Sequence, residues 1–516
     1  MGTARARRGR LARRERVAWA RARHVADRLV AMNPRERKTG SGMAWTIARA
    51  LLQLFLSVGV GVALARLLPP HDFGVVAIAT GFGVLAEALA MAGLGSALIQ
   101  KRRIRRATVE TTWLLSLLLA ALFLALFFAA APVLSQWFAA PELEAILPLI
   151  GATQAVMTLG IVPRALLRRH LHLKRLALID LLSYALGYAA VSVTLAWHGW
   201  GAVSLAWGFF VWWLLATLLC WHASRIRVWR PRWSAQEGTA IVRYGLTLSA
   251  KGFIIYLGGA LDSLILGWLL GPAPLGLYQR AAQLASIPLQ RLGATVGHVM
   301  FPAFALIQEN RVKLARALLD AQQTLALVCY PILAALAAVP EVVIVALYGD
   351  AWRDAAPILR ILALIAMLHL THHLAGPLLE ACGRAKKELR LQSGYLGLLA
   401  VSLLVAAPLG LRAAAWAHLI PSLYLLATMG TVALGLLRLD WRPWLGANRA
   451  GLALAAATAL TALLLSFAVR TALPSASPIT EFLIVVLGCA SVYGVGLWRI
   501  PGPHQRWWRK EGALND

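Results

Sequence analysis

Apolar stretches of about 20 residues recur along almost the whole chain, and they constrain its fold more than any other feature. A helix of that length crosses the roughly 30 Å hydrocarbon core of a bilayer and satisfies its own backbone hydrogen bonds there. Mean hydropathy is +0.68, and 59% of the residues are hydrophobic. A soluble core cannot hold so much apolar sequence, so we predict an all-α polytopic membrane protein.

Fourteen transmembrane helices are predicted from these stretches. They cover residues 43–65, 73–98, 111–131, 145–163, 176–197, 201–222, 245–270, 279–304, 321–346, 356–380, 391–410, 413–437, 450–470 and 480–498. An even number of spans places both termini on the same side of the membrane.

Basic side chains give the chain a net charge of +29. They collect in alternate loops between the predicted helices, as cytoplasmic loops do under the positive-inside rule. We therefore predict that both termini are cytoplasmic. The charge alone would suggest nucleic-acid binding, but the apolar content excludes a soluble protein of that class. The main basic clusters lie at Lys101–Arg106, Arg164–Arg175, Arg225–Arg243 and Arg384–Arg390.

The chain repeats itself weakly at an offset of 202 residues. Leu67, Leu68, Pro70 and Gly74 then fall on identical residues at 269, 270, 272 and 276. The copies lie six predicted spans apart, so both enter the membrane in the same direction, as parallel repeats do. The resulting division is a basic cytoplasmic tail 1–42, an N-lobe 43–222 with helices 1–6, a cytoplasmic linker 223–244, a C-lobe 245–437 with helices 7–12, two further helices in 450–498 and a cytoplasmic tail 499–516.

Charged side chains inside two predicted spans point to a lined cavity. Arg49 and Lys251 occupy equivalent positions in the repeat. A charge at the bilayer centre costs about 2.5 to 3.5 kcal/mol on insertion scales, so such residues usually face a bundle interior. The alternative is that both side chains extend to the cytoplasmic headgroups. Two similar halves with charge at depth are typical of a transporter.

Several short motifs, in order, resemble one transporter family. The residues at 64–74 (LARLLPPHDFG), 93–100 (GLGSALIQ), 262–267 (DSLILG), 275–278 (LGLY), 301–304 (FPAF) with Gln308, and 348–352 (YGDAW) are similar to those of the Wzx-type polysaccharide flippases. These belong to the polysaccharide transporter branch of the multidrug/oligosaccharidyl-lipid/polysaccharide exporter superfamily. Ser263 departs from the family pattern, because Asn often follows the Asp there. The resemblance extends over about residues 41–440.

The resemblance implies a flippase for undecaprenyl-pyrophosphate-linked oligosaccharide in a bacterial inner membrane, working in surface-polysaccharide assembly by alternating access. The implied partners are this lipid-linked oligosaccharide, membrane lipids, a proton or sodium ion, and polysaccharide polymerase and glycosyltransferases. The candidate cations for the pyrophosphate are Arg49, Lys251, Arg280 and Arg291. The candidate polar groups, for the cavity or a coupling ion, are Asp262, Glu87 and Gln53. Lys251 and Asp262 are eleven residues apart, which leaves them within about 20° on one helix face.

Other function classes fit less well. A multidrug or lipid II exporter would share the scaffold and differ in cargo. A membrane polysaccharide polymerase or ligase usually needs a long outward loop, and the outward loops predicted here are short. His369 and His373 have the i, i+4 spacing of metal ligands, but no third ligand is evident and the four cysteines show no paired spacing. We expect no cofactor, no metal and no enzymatic activity.

Overall fold

The computed structural model describes the backbone of residues 39–91, 94–101, 104–224 and 231–499, with most side chains from Leu52 onward. The chain divides into two compact units, Met1–Gly59 and Val60–Asp516. The described part of the first unit is the start of one helix. Within the second unit we distinguish an N-terminal half, Val60–Ser224, from a C-terminal half, Ala235–Leu437.

Helices account for nearly all of the described N-terminal region. They are α1 Thr39–Leu67, α2 Pro70–Met91, α3 Leu94–Gln100, α4 Arg106–Trp137, α5 Leu143–Leu159, α6 Ile161–Arg169, α7 Leu173–Ser183, a π-helical segment Tyr184–Val191, α8 Ser192–Trp197 and α9 Ala202–Ser224.

The C-terminal region is built in the same way. Its elements are α10 Ala235–Leu270, α11 Pro272–Pro288, a π-helical segment Leu289–Gly293, α12 Ala294–Ile307, α13 Arg311–Ala338, α14 Pro340–Tyr348, a 3₁₀ turn Asp350–Ala355, α15 Ala356–His372, α16 Ala375–Ala381, α17 Ala385–Ala406, a 3₁₀ turn Ala407–Leu409, α18 Leu411–Ala417, α19 Leu419–Leu437, α20 Trp441–Gly446, α21 Arg449–Ala472 and α22 Pro478–Arg499.

The predicted all-α membrane fold is confirmed. Among the described residues, eleven helical runs are long and apolar enough to cross a bilayer, and each overlaps a predicted span. The other three predicted spans fall on α1, on α10 and on the run from α11 to α12, where the backbone is also helical. The count of fourteen spans stays a prediction.

The second helix of each repeat copy packs against its counterpart at its start. Both α2 and α11 begin at a proline, whose fixed φ suits the first position of a helix. A Cβ on Gly74 would overlap the carbonyl oxygen of Pro272, and a Cβ on Gly276 would overlap that of Pro70. The two contacts are related by the same 202-residue offset as the sequence repeat. Glycine at both positions therefore lets the two helix starts meet backbone to backbone.

The start of α10 is anchored to α4 by polar contacts. Ser234 caps α10, and Glu237 in its first turn pairs with Lys101 and accepts a 3.0 Å hydrogen bond from Thr108. The hydrogen bond from Lys101 holds the pKa of the Glu237 carboxyl below its usual range. The helix consequently begins at Ala235, earlier than the predicted span at 245, and part of the predicted linker 223–244 is helical.

The thirteenth predicted span is joined to the C-terminal half by a buried polar cluster. Asn448, just before α21, accepts hydrogen bonds from Gln322 at 2.9 Å and from Tyr330 at 3.2 Å. Both donors lie on α13, and the backbone of Ala326 lies against Gly451 of α21. The α21 helix is thus part of the packed core of this half.

Candidate functional site

A cavity of about 440 Å³ lies between the two halves of the second unit. This volume is in the range of small-molecule sites, about 300 to 1,000 Å³. One wall comes from the N-terminal half, and its residues are Phe73, Val76, Ala77, Thr80, Tyr188, Leu205 and Phe209. The other wall comes from α11 and the π-helical segment after it, and its residues are Gln279, Arg280, Ala282, Gln283, Ser286 and Gln290. The described lining includes a cation and several amides but no carboxylate.

Arg280 is the charged group of this cavity and is itself only 7% exposed. Its guanidinium carbon lies 3.8 Å from the ring centroid of Phe73, and Nη1 donates a 2.8 Å hydrogen bond to Gln283. Within the described part of the chain, no Asp or Glu forms an ion pair with it. A buried cation without a counter-charge is costly, so this position is suited to an anionic ligand.

Aromatic and backbone contacts join the two halves beside the cavity. The buried indole of Trp352 donates a 2.8 Å hydrogen bond to the Ala65 carbonyl, and its ring meets Phe73 edge-on at 5.2 Å. From the other half, Arg66 donates to the carbonyls of Ala346, at 2.6 Å, and Leu347, at 3.0 Å. Together with the reciprocal glycine contacts, these bonds hold the halves together beside Arg280.

Asp262 lies in a hydrogen-bond network inside the C-terminal half, apart from the described lining of the cavity. Its carboxylate accepts a 2.9 Å hydrogen bond from Tyr278 and lies 3.2 Å from Nε2 of His418. Tyr278 Oη is also 3.0 Å from His418 Nε2. The network joins α10 and α11 to His418, which links α18 and α19. Its acid, phenol and imidazole form a compact site that can hold or release one proton or a small cation.

The other predicted site residues are spread over several helices. Arg49 lies on α1 and Lys251 on α10, but both side chains fall outside the described residues. Gln53 belongs to the first unit and is half-buried. Glu87 is half-buried on α2, whereas Arg291 is exposed and is not among the described lining residues of the cavity.

His369, which has metal-ligand spacing to His373 in the sequence, has a hydrogen-bonding partner of its own. His369 Nε2 lies 2.9 Å from the hydroxyl of Ser422, one turn after His418. In the part of the chain that the structure describes, no cluster of three or more His, Cys, Asp and Glu has the arrangement of a metal site.

Sequence reasoning missed several residues of these sites. His418 stands alone in an apolar span, so nothing in its surroundings marked it as a partner of Asp262, 156 residues away. Tyr188 and Phe209 look like ordinary membrane aromatics in the sequence. Tyr278 and Trp352 lie in the motifs LGLY and YGDAW that resemble the flippase family, and this resemblance is the signal that could have identified them.

Comparison with known proteins agrees with this architecture. The chain is 26% identical to the lipopolysaccharide biosynthesis protein WzxC of Escherichia coli, over 67% of this chain and 70% of that protein. It is 29% identical to the succinoglycan biosynthesis transport protein ExoT of Rhizobium meliloti, over 58% of this chain and 60% of that protein. The fold is similar to that of the lipid II flippase MurJ in an inward closed conformation, with a TM-score of 0.69 and 13% identity, covering 87% of this chain and 98% of MurJ.

The family match falls on the segment that holds most of the cavity wall. Residues 63–357 match the family described as polysaccharide biosynthesis protein. This range runs from the end of α1 through α2, the lining residues Tyr188 and Phe209, and α11 to the turn that carries Trp352. It is more than half of the 516 residues. The chain therefore belongs to the polysaccharide biosynthesis protein family.

Proposed function

We propose that this chain is a flippase that moves undecaprenyl-pyrophosphate-linked oligosaccharide from the cytoplasmic to the periplasmic leaflet of a bacterial inner membrane. The observation that carries the proposal is Arg280, a buried cation without a described carboxylate partner, in a cavity between two repeat-related halves. A pyrophosphate cannot cross hydrocarbon unshielded, because it would lose its hydration. Arg280 provides a fixed counter-charge in a protected site.

The names of the relatives support the same class of cargo. WzxC and ExoT are named for lipopolysaccharide and succinoglycan biosynthesis, and the name of ExoT includes transport. A transporter role also agrees with the fold, which resembles that of a flippase. Polysaccharide polymerase and glycosyltransferases are then the expected partners of this chain.

The predicted orientation assigns the contacts between the two halves to one side of the membrane. With both termini in the cytoplasm, Gly74, Gly276 and Trp352 lie toward the periplasm, so the contacts around them form a periplasmic gate. Alternating access then requires these contacts to break while the cytoplasmic ends of the halves approach each other. The six-helix lobes 43–222 and 245–437 are the bodies that we expect to move.

Remaining site assignments follow from this scheme. Arg49 and Lys251 are proposed to receive the pyrophosphate nearer the cytoplasm, with Arg291 beside the path. Asp262, with His418 and Tyr278, is the proposed site of a coupling proton or sodium ion, and Glu87 and Gln53 are further polar groups of the route. Ion binding at Asp262 would favour one of the two access states.

The cavity chemistry separates the proposal from drug export. Cationic drugs require an acidic or aromatic cage, and a fixed cation beside the ligand repels them. Arg280 lies in the cavity, and no carboxylate is among the described lining residues. An anionic cargo is therefore favoured over a cationic one.

Removal of the Arg280 charge tests the proposal. In proteoliposomes containing undecaprenyl-pyrophosphoryl saccharide, we expect Arg280→Ala to reduce flipping at least about tenfold, because a charge-assisted hydrogen bond contributes about 1.5 to 3 kcal/mol. Arg280→Lys should retain part of the activity. The control is Arg316→Ala, which removes an exposed arginine of α13 outside the cavity.

Two results would contradict the proposal. The first is wild-type flipping by a well-folded Arg280→Ala variant. The second is a purified wild-type protein that moves none of this cargo while exporting a cationic dye.

A further inference from the structure

We infer that the aromatic wall of the cavity binds the sugar directly attached to the pyrophosphate of the cargo, by stacking against its ring. The inference rests on the proposed function, because it assigns the other wall of the same cavity to the carbohydrate. It divides the cavity into an anion site on α11 and a sugar site on the N-terminal half.

Tyr188 and Phe209 form the surface of the aromatic wall. Both rings line the cavity, and their centroids are 4.8 Å apart at an interplanar angle of 44°. A second layer of rings lies behind them. Tyr184 is 5.4 Å from Tyr188, and Trp212 is 6.3 Å from Phe209. The wall thus presents two ring surfaces on an aromatic base.

Close backbone packing fixes the positions of these rings. A Cβ on Gly187 would overlap the backbone of Trp212, and a Cβ on Gly208 would overlap the hydroxyl of Ser192. Glycine at these two positions therefore lets the π-helical segment Tyr184–Val191 and the start of α8 pack closely against α9. Short π-helical stretches occur frequently at functional sites. Rings on such a rigid support lose little conformational freedom when a ligand binds.

The facing wall supplies the polar half of a carbohydrate site. Gln279, Gln283 and Gln290 extend from α11 and the segment after it, with Ser286 between them. Two of these amides are oriented by other side chains. Gln279 donates a 2.7 Å hydrogen bond to the Ser263 hydroxyl, and Gln283 accepts a hydrogen bond from Arg280. Amides both donate and accept hydrogen bonds, as hydroxyl groups on a sugar edge require.

The combination matches a pyranose better than other parts of the cargo. A sugar ring has apolar C–H faces and a polar edge, so it suits an aromatic surface opposed by amides. The lipid chain lacks groups for the amides, and the pyrophosphate lacks an apolar face for the rings. Because Arg280 lies in the same cavity of about 440 Å³, an anion bound there brings its first sugar to this wall.

A pair of cargoes separates sugar binding from anion binding. The probes are undecaprenyl pyrophosphate and undecaprenyl-pyrophosphoryl-N-acetylglucosamine, each titrated against the purified full chain in detergent. We expect Tyr188→Leu and Phe209→Leu to weaken binding of the sugar-bearing cargo roughly five- to tenfold. Binding of the sugar-free cargo should change less than twofold. Arg280→Ala should weaken both.

Two further variants control for loss of structure and for the tyrosine hydroxyl. Phe210→Leu alters the neighbouring ring on α9, which meets Trp207 and is not among the described lining residues, so both affinities should be retained. Tyr188→Phe keeps the ring and should retain affinity for the sugar-bearing cargo.

Equal losses for both cargoes, or no loss for either, would overturn the sugar assignment while leaving the anion site in place. Failure of the unmodified chain to bind either cargo would instead overturn the proposed function, and this inference with it.

Discussion

The chemistry of this protein depends on single side chains and on the partners that surround them. Arg280 is buried, stacks on Phe73 and bonds to an amide, and no described carboxylate pairs with it. Asp262 shows the opposite arrangement, since it is half-buried with a phenol and an imidazole as its neighbours. The first arrangement leaves an anion site open, whereas the second gives the carboxylate two hydrogen-bonding neighbours within its own half.

At Asp262, we expect a substitution to affect coupling more than transport. Asp262→Asn keeps the size of the side chain and removes the charge that Tyr278 and His418 contact. Flipping in proteoliposomes should then respond to an imposed proton or sodium gradient at most half as strongly as in the wild type. Exchange of cargo without a gradient should stay within about twofold.

Asp440→Asn, which changes an exposed acid between α19 and α20, is the matched control for this measurement. A wild-type gradient response in Asp262→Asn would remove Asp262 from coupling and leave the network a packing feature.

Sequence alone identifies charges at depth but not their partners. Arg280 is a sequence candidate because it lies with Arg291 in one predicted span, eleven residues apart, and the structure locates Arg280 in a cavity wall. The partnership of Asp262 with His418 depends on how α10 and α18 pack, and no short-range pattern encodes that packing. The aromatic wall was missed for the same reason.

Among the helices, the most consequential contact is the one between the two repeat-related starts, α2 and α11. Gly74→Ala should hinder closure at this end, because the added methyl group meets the carbonyl oxygen of Pro272 in the closed arrangement. Gly276→Ala should act in the same way at Pro70. Both variants are expected to favour the state in which the proposed periplasmic gate is open.

Labelling of a cysteine at Val76, a lining residue, measures that shift. In right-side-out vesicles, a membrane-impermeant maleimide should label Val76→Cys at least about threefold faster when Gly74→Ala is present. A population shift of that size needs less than about 1 kcal/mol. Gly259→Ala, where nothing lies within 4 Å of the added Cβ, should leave the rate unchanged. Slower labelling in the Gly74→Ala protein would contradict the proposal that these contacts form a gate.

Element boundaries were predictable where a span is continuous and were missed where it breaks. The predicted span 321–346 is interrupted, because α13 ends at Ala338 and α14 starts at Pro340. Proline has no backbone N–H and restricts the residue before it, which explains the break at Val339. The π-helical segments left no hydropathy signal, since they change the winding of the helix without changing its composition.

On the scale of the whole molecule, the C-terminal helices are joined to the preceding half by Asn448. The sequence showed two extra spans without a motif, and the structure gives α21 a buried polar contact with α13. Asn448→Ala leaves the donors of Gln322 and Tyr330 without that acceptor. We expect a loss of about 1 to 3 kcal/mol in the free energy of unfolding.

Thermal melting of the detergent-solubilised protein, followed by size-exclusion chromatography, measures this loss. Thr461→Ala removes a half-buried hydroxyl of α21 that bonds to the Ala457 carbonyl of the same helix; it is the control and should melt as the wild type does. An Asn448→Ala protein with unchanged melting would show that the helices are held by apolar packing alone.

The reciprocal contacts of Gly74 with Pro272 and of Gly276 with Pro70 have the form of an isologous interface between two identical subunits. Fusion of two such subunits into one polypeptide frees each copy to diverge, and one copy carries Arg280 where the other has Ile78. A homodimer of separate half-length chains would have to bear the arginine twice. Covalent linkage of two diverged copies therefore allows a single positive charge beside a junction whose glycine contacts are reciprocal.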